Sequence, residues 1–145
     1  LHLMHAPGHT RDSIVIMIED DKILFTGDLV MPVPYIVWGD WEQFRESLRF
    51  VQELKPESIV QGHGDILLRG ELRQDLKESL RYLDTIEGHV RDLVERRGAP
   101  SELAEIDIES CGKSRIPLDG LVKKLHQANM LYMYRVLSER RDAES

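Results

Sequence analysis

Two textures of hydrophobic and polar residues divide the chain near residue 70. In the first part, apolar runs are short and end at glycine or proline. Residues 13–18 form a compact β-branched run, Glu19-Asp20-Asp21 reads as a hairpin turn, and residues 22–26 return as a second strand. Residues 58–60 make a third short strand leading into Gly62. Between them, Trp41, Phe44, Leu48, Val51 and Leu54 fall at helical spacing, with Asp40 and Gln43 as a capping-box pattern at the start. Lys55-Pro56 ends that helix, because a residue preceding proline avoids the helical region. Residues 31–38 are a proline-broken loop carrying large apolar side chains.

From Glu71 the spacing turns helical. Leu72, Leu76, Leu80, Leu83, Ile86, Val90, Leu93 and Val94 make one apolar face that closes at Gly98. A second long helix is predicted to start near Pro117, turning Leu118, Leu121, Val122, Leu125, Tyr132 and Val136 inward. His2, His89 and His126 are expected on strand or helix surfaces, and residues 140–145 as a frayed tail.

Composition narrows the functional classes. The chain has 145 residues, 41% hydrophobic and 31% charged, which suits one globular domain with a real core. Its formal net charge of −7 argues against a nucleic-acid surface, which usually carries a basic stripe. No apolar run is long enough to span a bilayer, so no membrane contact is expected. Cys111 stands alone, so it makes neither an internal disulfide nor a thiolate metal site, and a reducing, cytoplasmic setting is expected.

Three glycine-marked turns carry the candidate chemistry. His9 follows Pro7-Gly8, Asp28 follows Gly27 at the end of the second strand, and His63 lies between Gly62 and Gly64 after the third. Imidazole and carboxylate suit zinc, iron or manganese, and loops at strand ends can gather distant residues at one rim. Taken singly, each residue has a plainer reading. A histidine in a glycine-rich loop is more often a hydrogen-bonded loop residue, and Gly-Asp after a strand is usually a turn. The ordered set of all three is what favours metal.

That order resembles the C-terminal half of a metallo-β-lactamase-fold hydrolase. His9 in Pro7-Gly8-His9-Thr10, Asp28 in Leu24-Phe25-Thr26-Gly27-Asp28 and His63 in Gly62-His63-Gly64 match three of that family's metal ligands. Gln61 stands where proline commonly precedes the last histidine. The resemblance implies an α/β (α+β) fold, half of an αββα sandwich, with residues 1–70 in that half-fold and 71–139 as a helical extension packing on it. It implies two zinc ions in a complete site, with iron or manganese as alternatives. His9 would serve one metal and His63 the other, with Asp28 bridging both as the catalytic residue. It further implies hydrolysis of an ester, thioester or lactam-like bond in a small-molecule substrate. Asp12 and Ser13 are either partners for His9 or solvated turn residues, and His5 is expected to be structural. Tyr35 and Trp38 are placed where a substrate lies, and Trp41 in the core.

The family's His-x-His-x-Asp-His motif, which supplies the remaining ligands, is absent from residues 1–145. A fragment of a longer enzyme is therefore expected, inactive alone and completed by the N-terminal half of the fold. The alternative is a non-catalytic half-domain that dimerises with a second copy of itself through an open sheet face.

Overall fold

A computed structural model describes all residues, 1–145. Five strands form one sheet in the order β1-β2-β3-β4-β5: β1 (His2–His5), β2 (Ile14–Ile18), β3 (Ile23–Gly27), β4 (Ser58–Gln61) and β5 (Leu67–Leu68). β1 pairs antiparallel with β2, β2 antiparallel with β3, and β3 parallel with β4. β1, β3 and β4 therefore point the same way, and their C-terminal ends share one rim. A parallel pair needs a crossover, supplied by α1 (Trp41–Leu54). The chain is mixed α/β, as the hydrophobic pattern predicts.

Local chemistry sets the helix limits. The Asp40 carboxylate accepts from the Glu42 and Gln43 N–H groups and caps α1, and Lys55, in a left-handed conformation, ends it. α2 (Arg69–Glu95) is followed by short 3-10 turns across residues 100–111, and α3 (Leu121–Glu144) closes the chain. The start of α3 is later than Pro117 because Leu118 and Asp119 sit at positive φ and break the first turn. α3 also continues through residues 140–144, where sequence predicts fraying; Arg141 donates to the Val94 carbonyl at 2.7 Å.

One sheet face is buried and the other is open. Val15, Met17, Leu24 and Ile59 are buried in one core with Phe44, Leu48, Leu76, Leu83 and Met130. Alternation then sends the remaining strand residues to the opposite face. There Leu3, Ile16, Phe25 and Val60 stand in register as one row across four strands. Leu3 is 60% and Phe25 41% exposed, and Ile14 beside them is 46% exposed. Within the helical layer, Arg45 ties α1 to α2 through ion pairs to Asp84 and Glu87.

Two expectations about α3 are corrected. His126 is buried, and so are Asn129, Met130, Met133 and Leu137, while Leu121 is 48% exposed. Val122 is buried and Leu118, Leu125, Tyr132 and Val136 pack against the core as expected, but the buried stripe also takes in polar His126 and Asn129. No helix is long and apolar enough to cross a membrane.

Candidate metal centre

Three strand ends bring the three candidate ligands to the shared rim. At the end of β3 the register slips by one residue, so Phe25 pairs with Val60 and Gly27 with Gln61, leaving Thr26 as a bulge. Bulges re-aim the residues that follow them. Here the Gly62 N–H donates to the Gly27 carbonyl at 2.8 Å, which lays the His63 loop directly against Asp28. A Cβ at Gly62 would collide with Asp28 Oδ1, so that position accepts glycine alone. Gly8 is held as tightly: at φ 145 it lies against the Phe44 backbone, which leaves no room for a side chain.

The carboxylate of Asp28 faces both histidines. Its Oδ1 accepts from His63 Nδ1 at 2.9 Å, and its Oδ2 lies 3.5 Å from His9 Nε2. His9 Nδ1 lies 2.9 Å from the Tyr35 carbonyl, which only accepts, so Nδ1 carries a proton and Nε2 is the nitrogen turned toward Asp28. The His9 side chain is 19% exposed, Asp28 34% and His63 59%, an open rim.

Of the two readings for Asp12 and Ser13, the turn reading holds, and a backbone carbonyl orients His9 instead. Ser13 is occupied with Thr10, whose N–H and hydroxyl lie 3.1 and 2.7 Å from its Oγ. Asp12 also serves that turn: a Thr10 hydrogen bond first, then a backbone one, hold its carboxyl below the usual range. His5 donates to the Arg11 carbonyl at 2.6 Å, a structural role. Trp41 is in the core, and Trp38 is 79% exposed.

Sequence reading missed the support behind Tyr35. Asn129 Oδ1 accepts from the Ile36 N–H at 3.0 Å and its Nδ2 donates to the Pro34 carbonyl at 2.6 Å. Asn129 thus grips the backbone on both sides of the carbonyl that orients His9. It also donates to Tyr82 Oη at 3.1 Å, which in turn donates to His126 Nδ1 at 3.0 Å. A cleft of about 680 Å³ opens beside the His63 loop, lined in part by Gln61, Gly64 and Lys113. Lys113 is buried there, 3.5 Å from Asp75, whose carboxyl burial pushes upward despite that ammonium. Nowhere do three or more His, Cys, Asp or Glu side chains form a cluster able to hold a metal by themselves.

The fold and this rim have known counterparts. The family model described as the metallo-beta-lactamase superfamily matches residues 1–63, a span that includes all three candidate ligands. A metallo-beta-lactamase family protein from Thermus thermophilus superposes with a TM-score of 0.67 over 97% of this chain and 44% of its own, at 18% identity. The chain shares the fold of that metallo-beta-lactamase family protein, and the superfamily's model matches its first 63 residues.

Residues of this chain are 31% identical over 67 positions to the Beta-lactamase-like protein 2 homolog of Drosophila melanogaster, covering 46% of this chain and 23% of that protein. They are 38% identical over 68 positions to Thioesterase pkgB of Emericella nidulans, covering 47% and 20%. The matched part therefore spans less than a quarter of either relative's length.

Proposed function

We propose that the chain supplies half of a dinuclear metal site in a hydrolase that cleaves an ester or thioester bond. The observation that carries this reading is the two-sided presentation of Asp28, one oxygen toward His9 and the other toward His63. A bridging carboxylate requires such an arrangement. The donor set fits zinc, iron or manganese, and the Tyr35 carbonyl leaves His9 Nε2 free to ligate. His9 and Asp28 would hold one ion, and Asp28 and His63 the other. Such ions lower the pKa of bound water toward neutrality and polarise a carbonyl.

This chain's own residues orient the ligands. Tyr35 fixes the tautomer of His9, the Thr26 bulge aims Asp28, and Asp28 anchors the His63 ring. The thioester preference rests on the names of the relatives, which include Thioesterase pkgB and an Atrochrysone carboxyl ACP thioesterase of Aspergillus fumigatus. Three ligands do not complete two metal sites, so further ligands come from the rest of the fold, packed on the open sheet face. Metal analysis and hydrolysis of an aryl thioester by the protein carrying the whole fold test this. Wild type should hold two metal ions, and Asp28→Ala should lose metal and activity together. Retention of both ions by Asp28→Ala overturns the bridging role.

A second reading has its own observation. The row Leu3, Ile16, Phe25 and Val60 can mate with the same row of a second copy, giving an interaction module without catalysis. Less than about one tenth of an equivalent of metal in the purified chain, combined with a stable dimer, would favour it.

A further inference from the structure

At the sheet rim opposite the His9–Asp28–His63 cluster, a cleft of about 600 Å³ lies between the turns that enter β3 and β4 and the first turns of α2. Lys22, Lys55, Arg69, Arg73 and Lys77 line it, and Glu57 is its one carboxylate, giving four net positive charges in a chain whose total is −7. Arg69 pairs with Glu57 at 3.1 Å. The other four cations have no ion-pair partner.

Three local features work against the stability of the free chain, and each one adds positive charge here. Arg69 sits in the first turn of α2, the positive end of the helix dipole, where a cation is unfavourable. Arg69, Arg73 and Lys77 repeat at i, i+4, a ladder of like charges that costs a few tenths of a kcal/mol per step. Lys22 and Lys55 adopt left-handed backbone, at φ 50 and 49, where glycine or asparagine is the cheaper residue. The Glu57 N–H donates to the Lys22 carbonyl at 2.9 Å and so ties the two lysine-bearing turns together. Departures from local preference that all point one way mark a functional surface.

We propose that this cleft binds a small organic phosphate carrying a diphosphate group. Four net positive charges are enough to neutralise the two or three charges of a diphosphate group, and a cleft lined by one sign on low-dielectric walls concentrates the field. Pro56, Leu72 and Leu76 are buried at its floor and offer an apolar wall for the organic part. The volume suits a small molecule rather than a macromolecular face. The cleft uses none of the candidate metal ligands, so this proposal stands or falls apart from the hydrolase reading.

Calorimetry and amide NMR with ADP and sodium pyrophosphate test it, at about 0.15 M salt so that weak surface attraction is screened. Saturable one-to-one binding of both probes is expected, with ADP the tighter and with shifts confined to residues 52–57 and 69–77 and to Lys22. Lys55→Glu with Arg73→Glu, both exposed, should weaken binding at least about tenfold while the melting temperature stays within a few degrees. Non-saturating titrations, or equal affinity in the double variant, overturn the site. Binding of duplex DNA without binding of ADP overturns it too, because the cleft would then be part of a polyanion surface.

Discussion

Asn129 takes hold of the loop after Asp28 on both sides of Tyr35, accepting from Ile36 and donating to Pro34. All of its side-chain groups are buried and satisfied, so truncation leaves orphaned backbone groups. Asn129→Ala should lower stability by about 2 kcal/mol, read as a fall in the denaturant midpoint. It should also change the His9 ring-nitrogen shifts; unchanged shifts would show that the grip on Tyr35 does not reach His9. His126 is the titrating member of the same network. Its Nε2–H donates to the Ile106 carbonyl at 2.9 Å and its Nδ1 accepts from Tyr82, an arrangement only the neutral ring can make. Burial holds its pKa below the ordinary histidine value, although the Ile106 bond acts in the other direction. The native state then binds fewer protons than the unfolded chain around that pH. This part of the stability is present above the unfolded pKa of about 6.5 and is lost as pH falls below it toward the native value. Melting temperatures between about pH 7.5 and 5.5 should fall for wild type and fall less for His126→Gln; parallel curves would remove His126 as the cause.

At the scale of elements, α2 contains its own test. Gly88 sits inside the helix with open space where a Cβ would go. Gly88→Ala should therefore stabilise the chain by about 1 kcal/mol through helix propensity alone. Thermal melting reads the gain, and a loss would mean that the position is not open. The strands β2 and β3 and the helices α1 and α2 were legible in sequence because alternation and 3.6-residue spacing are strong over those runs. β5 was not, since two residues carry no period. On α3 the apolar part of the inward face was legible and its polar part was not: His126 is expected on a surface, and only its Tyr82 and Ile106 partners make its burial tolerable. The three candidate ligands were legible as glycine-flanked residues, whereas the carbonyl of Tyr35 has no side-chain signature at all.

For the molecule as a whole, the row of Leu3, Ile16, Phe25 and Val60 leaves one sheet face open and apolar. A contiguous apolar surface of this kind favours association. Replacing Ile16 and Phe25 together by lysine should shift the chain toward monomer in light scattering while leaving its helix content unchanged. The same mean mass before and after would show that the face is not the one used. On the opposite rim, the lysine- and arginine-lined cleft makes the charge of the molecule strongly uneven despite its acidic total.

The parallel pairing of β3 with β4 has a consequence for how the rim comes into being. Asp28 and His63 are 35 residues apart and meet only after α1 has crossed over and docked. His9 reaches them through two antiparallel hairpin steps, which close over short loops. The first candidate ligand is therefore set by local chain closure, and the last by the slowest kind of contact, a long-range parallel register. If the rim coordinates metal as proposed, that coordination comes late in folding, and an ion arriving early would meet the strands of β1 to β3 before the His63 loop exists.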